Sequence, residues 1–336
     1  MRIAASPRLL SSSNVRTLPT GFSSFRRSSP SVPLTFASVS ATPRSCSVWR
    51  KSVSLTDKDI KVFGSRTKAS MAEAVTGKGK AKVEVFDSEE ELKASVAKYT
   101  ADLSEKVCKE RASFSVVVSG GSLIKCLSKL LEPPYINSVD WSKWRVFWVD
   151  ERVVPKDHPD SNYLLAYDGF LSKFAHYAVC QRLPIPAGNV YAINDALSAE
   201  GAAEDYETCL KHLVERKIVS TSEASGFPQF DLMLLGMGPD GHVASLFPGH
   251  PLLQEKEKWV AFIKDSPKPP PERITFTFPV INSSANIALV VPGASKADAV
   301  HTALGSSQNP ISLPVQMVSP EKELVWFLDK GAASKL

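Results

Sequence analysis

No aspartate or glutamate occurs in the first 56 residues, which carry eight arginines and lysines. That absence distorts the formal charge of +5, because the remaining 280 residues hold 32 basic and 35 acidic groups. A faintly acidic body lacks the basic footprint of a nucleic-acid partner. No apolar run approaches the roughly 18–20 residues that cross a bilayer, so no membrane partner is expected. Cysteine is scarce: Cys46, Cys108, Cys126, Cys180 and Cys209 are the five in the chain. None falls in a CxxC or other metal-ligand spacing, which argues for ordinary packing in a reducing compartment and against a disulfide scaffold. The metal-binding spacing HExxH is absent, as is the nucleophile-elbow pattern GxSxG. What remains is a globular composition, 43% hydrophobic and 22% charged.

The two ends of the chain read as addresses. Residues 1–56 are rich in serine and arginine and broken by Pro7, Pro19, Pro30, Pro33 and Pro43. With no continuous apolar segment, this is the composition of an organelle transit peptide rather than a secretory signal. The serine and proline density favours a plastid over a mitochondrion. A disordered leader is expected over 1–70, cleaved between Arg50 and Met71, before a body that begins near Ala81. The last three residues, Ser334-Lys335-Leu336, form a peroxisomal address at the end of a short tail, 331–336. Import receptors of both organelles are therefore expected partners.

From Lys82 onward, apolar strands alternate with amphipathic helices. Phe114–Val118 and Arg145–Val149 read as strands, and Phe230–Leu235 as a strand buried on both faces. Trp259–Ile263, Ile287–Val291 and Leu324–Leu328 are further candidates. Leu123, Ile124, Leu127, Leu130 and Leu131 repeat at helical spacing, and helices are also expected over Ser161–Phe174 and Ser198–Ile218. The β-α alternation predicts an α/β fold: a doubly wound, mostly parallel sheet flanked by helices in one domain, 81–330. Ligands in such folds sit beyond the carboxyl ends of the strands.

Several polar groups sit at those ends. Ser119-Gly120-Gly121-Ser122 follows the first strand, either as an anion cradle at a helix start or as a plain turn with a serine cap. Asp150-Glu151-Arg152 closes the second strand, either as a solvated corner or as a site carboxylate beside a fixed guanidinium. Gly236-Met237-Gly238-Pro239-Asp240-Gly241 is a literal GxGxxG, with Asp265 near the spacing of a ribose-binding acid. A dinucleotide would fit it badly. Asp240 would oppose a pyrophosphate, Pro239 removes an N–H donor, and the expected helix Val243–Phe247 stops at Pro248. Asp240 and His242 look instead like an acid and an imidazole presented to a cavity. Arg273 and Lys296 are isolated cations near element ends, where surface solvation is the commoner role.

Taken in order, VVVSGGS (116–122), WVDERVVPKDHPDSNY (148–163), FDLMLLGMGPDGHVASLFPGH (230–250), RITFTFPVIN (273–282) and VPGASKADAV (291–300) resemble the 6-phosphogluconolactonases, in their plant plastid-targeted form. These are lactone hydrolases of the oxidative pentose phosphate pathway, and they share their fold with the glucosamine-6-phosphate deaminases. The resemblance implies a phosphorylated sugar lactone as substrate, with no metal and no nucleotide cofactor. It casts His242 as general base, places Arg152 near the lactone, and matches Asp150 and Asp240 to acids common to both families. It matches Ser119, Gly120, Gly121, Ser122, Arg273 and Lys296 to the phosphate site. Deaminases carry a glutamate five positions after the histidine of DGH. Here that position is Phe247, which favours a lactonase over a deaminase-like isomerase. A binding protein without catalysis would be expected to have a broken DGH or DER motif, and both are intact.

Overall fold

A computed structural model describes residues 70–76, 79–172, 184–305 and 313–336, with side chains from Ala81 onward. The expected leader up to residue 69 lies outside the described residues, as do Cys46, Cys180 and the end of the helix expected to reach Phe174. The end of the expected cleavage window falls on Ser70 and Met71, which are already in a strand.

Eight strands form the main sheet. In chain order they are β1 (Ser70–Thr76), β2 (Gly79–Phe86), β3 (Phe114–Val118), β4 (Trp144–Trp148), then, past β5 (Asp150–Arg152), β6 (Val190–Tyr191). After a small hairpin, β7 (Ser220–Thr221) with β8 (Pro228–Gln229), comes β9 (Leu232–Leu235). Strands β10 (Val260–Ile263) and β11 (Arg273–Phe276) precede β12 (Asn286–Val291) and β13 (Glu323–Asp329). The spatial order is β1-β2-β13-β12-β9-β3-β4-β6, parallel throughout except for the antiparallel edge strand β1.

Why the central strands read as unbroken apolar runs is now clear. Successive side chains of a strand point to opposite faces, and both faces are covered. Val116 and Val118 enter one core with Leu232 and Leu234, while Val117 enters the other with Met233 and Leu235. Full burial of each such side chain is worth about 1.5–3 kcal/mol. The helix Ala199–Glu215, capped by Ser198, packs Ala202, Ala203, Tyr206, Leu210 and Leu213 on one of these faces. The described cysteines are free, with Cys108 and Cys126 buried and Cys209 half-buried.

Three local expectations are corrected. The DER segment does not extend the second strand. Val149 gives its N–H to Val118, and its carbonyl then accepts from Phe276, so the chain leaves the main sheet there. β5 joins a separate antiparallel sheet, β10-β11-β5, which also takes the Trp259–Ile263 segment. The expected helix at Val243–Phe247 does not form, because a tight turn is bridged between Val243 and Leu246. The helix after Ser161 is regular only over Asn162–Ala166 and then widens into a π turn, Tyr167–Leu171.

Candidate active site

Four neighbouring strands in the middle of the sheet, β12, β9, β3 and β4, release their chains at the same edge. From β3 the chain moves outward to β4 and β6, and it later resumes on the other side at β9. This reversal is where the strand ends part to leave a crevice. A cleft of about 240 Å³ opens there, lined by Ser119, Gly120, Gly121, Ser122, Asp150, Arg152, His242, Arg273 and Lys296. Nine of the ten residues singled out in the sequence therefore face one cavity. The tenth, Asp240, stands behind His242, with its Oδ1 2.6 Å from the ring's Nδ1.

The turn after β9 dictates that geometry. Gly241 N–H donates to the Gly238 carbonyl, and Gly238 N–H donates to the His242 carbonyl, folding the loop back on itself. The imidazole then lies so close over Gly238 that a Cβ there would meet Nδ1 at 2.0 Å. The ring is largely buried and packs on Phe247, with centroids 4.8 Å apart. An ionised carboxylate only accepts hydrogen bonds, and its 2.6 Å pairing is closer than the 3.2 Å approach of the Lys268 ammonium to the same nitrogen, which favours the proton on Nδ1 and leaves the Nε2 lone pair free. Burial pushes the imidazole below its ordinary value of 6.5, against the pull of Asp240 toward the cation. Burial would raise Asp240 in turn, but its bonds from His242 and Lys268 outweigh this and hold it at about 2.

Cations crowd the remaining walls. Arg152 donates through Nη1 to the Asp160 carbonyl at 2.7 Å, while its Nε is buried without a partner. Arg273 is 3% exposed, and its guanidinium lies 5.7 Å from the Phe247 ring centroid. Burial, then the neighbouring Arg152, pulls Arg273 below the usual arginine range. Burial and then Lys268 do the same to Lys296. Asp150, 6% exposed, accepts from Ser245 Oγ at 2.8 Å.

The glycine-serine loop is not a serine-capped turn. The helix Ser122–Leu127 starts after Gly121, which offers no side-chain cap, and Ser119 Oγ instead accepts from Gly236 N–H at 3.3 Å. That bond ties the loop after β3 to the loop after β9. Gly120 is required by a close approach: a Cβ would meet Asn162 Oδ1 at 1.9 Å. Asn162 in turn donates to the Asp150 carbonyl.

The sequence reading missed several contributors. Glu151, 2% exposed, is a clamp and not a solvated corner. It accepts N–H bonds from Arg152 at 2.8 Å and from Asn162 and Tyr163 at 2.7 Å each. Burial pushes its carboxyl up to about 7 against those three donors. Ser245 links Asp150 to Arg273, and Lys268 reaches the His242–Asp240 pair from the Pro267–Pro271 loop. The acid in DER and the serine three residues after the DGH histidine lay in the open, but nothing in spacing alone distinguished them. The GxGxxG opens no helix, and Asp265 is exposed beside His250 Nε2 at 3.5 Å, off the cleft wall. A dinucleotide site is not built here.

Residues 87–326 match the family described as glucosamine-6-phosphate isomerases/6-phosphogluconolactonase. The chain belongs to this family. It is 66% identical over 268 residues to "6-phosphogluconolactonase 3, chloroplastic" of Arabidopsis thaliana, covering 80% of this chain and 79% of that one. It is also 66% identical over 254 residues to "Probable 6-phosphogluconolactonase 4, chloroplastic" of Oryza sativa subsp. indica, covering 75% and 76%. Among solved structures it is similar to the 6-phosphogluconolactonase of Trypanosoma brucei, with 26% identity and a TM-score of 0.63, covering 76% of this chain and 98% of that one. A monomeric glucosamine-6-phosphate deaminase shares the fold at 20% identity, with a TM-score of 0.58 over 76% of this chain and 99% of that one. Within the family, Phe247 stands where the resemblance places the deaminase glutamate. It is 2% exposed and fills the space between His242 and Arg273 with a ring that cannot take a proton.

Proposed function

We propose that the chain hydrolyses 6-phospho-D-glucono-1,5-lactone to 6-phosphogluconate, the second step of the oxidative pentose phosphate pathway. The observation that carries this reading is the His242–Asp240 pair at 2.6 Å, beside a cleft whose walls hold Arg152, Lys296 and the glycine-serine loop. Neutral imidazole at Nε2 takes a proton from water as the oxygen attacks the lactone carbonyl. Asp240 keeps the ring in that tautomer and favours the imidazolium once it forms. Arg152 stabilises the tetrahedral oxyanion, a contribution typically of about 3–4 kcal/mol. His242 then returns its proton to the ring oxygen as the C–O bond breaks. Asp150, held by Ser245, forms the acidic wall of the cleft. Ser119, Gly120, Gly121, Ser122 and Lys296 receive the phosphate, to which Arg273, its donors mostly taken by the loop carbonyls and Ser245, contributes positive charge at the wall. The phosphate's binding energy orients the distant ester.

The test is 6-phosphogluconate formation from freshly generated lactone, measured above the uncatalysed background. His242→Asn should lower kcat by about 10²–10⁴-fold while the protein stays folded. A variant that keeps most of its kcat removes the base. Equal kcat/KM for phosphorylated and unphosphorylated gluconolactone removes the phosphate site.

The same proposal assigns residues 1–70 to a plastid leader, 81–330 to the catalytic body and 331–336 to a tail read by a peroxisomal receptor. Two relatives that are named chloroplastic support the first assignment. The exposure of Ser334, Lys335 and Leu336 supports the last. A fluorescent protein that carries only the last ten residues and stays cytosolic would remove the peroxisomal half.

A further inference from the structure

The loop Pro267–Pro271 delivers a charge to the centre of the site. Lys268 Nζ lies 3.1 Å from Asp240 Oδ1 and 3.2 Å from His242 Nδ1, and the side chain lines the cleft. The backbone that carries it is pinned from below. Arg273 donates through Nη2 to the carbonyls of Lys268 at 2.7 Å and Pro269 at 3.1 Å, and through Nε to that of Pro270 at 3.0 Å. Ser266 Oγ donates to the Lys268 carbonyl and accepts its N–H. Arg273 thus spends most of its donors holding the loop rather than facing the cleft.

We propose that Lys268 is a positioning residue for the His242–Asp240 pair: its ammonium anchors the Asp240 carboxylate and opposes a second positive charge on the imidazole. This rests on His242 being the base. With Lys268 in place, the free ring stays neutral, and the imidazolium formed during attack is under pressure to give its proton to the leaving oxygen. The other charges around the ring do not reproduce this. Asp240, from the ring's own turn, and Asp150, from β5, both favour the cation. Lys296, after β12, is coupled to Lys268 and Asp240 rather than to the ring. Arg273, from β11, lies across Phe247 and is turned toward the loop carbonyls. Lys268 is the cation in contact with Nδ1.

The experiment follows the His242 ring directly, by NMR titration of the free protein, alongside the pH profile of kcat/KM. The variants are Lys268→Met and Lys268→Arg. Unit charges about 3 Å apart interact by about one pH unit even at water-like screening. In Lys268→Met, the His242 midpoint and the acid limb of kcat/KM should both rise by about one unit, with kcat reduced. Lys268→Arg should restore most of both. A His242 midpoint that stays fixed or falls in Lys268→Met overturns the proposal. So does a loss confined to KM for the phosphorylated lactone, which would make Lys268 a phosphate ligand. If the midpoint rises but activity never depended on His242, the positioning stands and the base assignment fails, so the two readings are separable.

Discussion

Arg152 and Arg273 face each other as register partners on β5 and β11. Like charges directly opposite on neighbouring strands are destabilising, and among the described residues neither arginine makes an ion pair. Such a pair at the wall of a cleft suits the anionic substrate proposed above. Arg152→Met should lower kcat by about 10²–10³-fold, the usual effect of losing one oxyanion donor. Its stability should change by less than about 1 kcal/mol, since relief of repulsion offsets the lost bond to the Asp160 carbonyl. Parallel kcat and urea-unfolding measurements check both signs. Inorganic phosphate should raise the unfolding midpoint of the parent protein, and by less in Lys296→Met.

The pH dependence follows from His242. The proposed base must be deprotonated to act, and burial holds this imidazole below 6.5. The kcat/KM of the parent protein should therefore be level near pH 7 and decline only below the ordinary histidine range. Asp240→Asn removes the group that favours the cation and fixes the tautomer. It should move the acid limb further down in pH and cost about 10²–10⁴-fold in kcat. An acid limb above 6.5 in the parent protein would contradict the buried, Lys268-flanked ring.

Glu151 gives a prediction about stability rather than rate. Its carboxyl titrates at about 7 in the fold against an ordinary 4.5, so the folded protein holds that proton more tightly than the unfolded chain does. Its contribution to stability is fully present below about 4.5 and falls as pH rises toward about 7. Glu151→Gln should flatten that slope in unfolding measurements at pH 5 and 7.5. It should also cost about 1–3 kcal/mol at pH 5, because one of its oxygens becomes an amide facing N–H donors.

How much of this could be read beforehand depends on where each signal lies along the chain. β3, β9 and β12 were legible because burial on both faces leaves uninterrupted apolar runs, followed by Ser119, by Gly236 and by Pro292-Gly293 where the backbone turns away. His242 was legible because its partner Asp240 lies two residues away. Lys268 was not, because it meets His242 only through a fold that brings residues 26 positions apart together, and its local sequence is that of an exposed loop. The long helix Glu89–Arg111 was not singled out, since its buried stripe includes Thr100, Ala101 and Ser104 in place of large apolar side chains. The exit of Asp150–Arg152 into a second sheet was hidden for a similar reason: the hydrogen bonds that redirect it come from Phe276 and its neighbours, far along the chain.

The tightest constraint on the site falls on a residue with no side chain. A Cβ at position 238 would sit 2.0 Å from His242 Nδ1 and 2.5 Å from Asp240 Oδ1, distances that nothing in a folded protein tolerates. Both atoms belong to the His242–Asp240 pair, so Gly238→Ala must displace the imidazole, the carboxylate or the turn itself. Displacements of about 1 Å in a catalytic group commonly cost about 10²-fold in rate, so kcat should fall by at least that much. Gly236 lies two residues earlier in the same loop, and a Cβ there would meet nothing within 4 Å. Gly236 also lines the cleft, but Gly236→Ala leaves the imidazole's seat untouched and should keep much more of its kcat than Gly238→Ala, so the pair of variants separates damage to the ring's seat from general loss of loop flexibility. Equal losses of kcat in the two variants would mean that the contact between Gly238 and His242 does not set the geometry of the base.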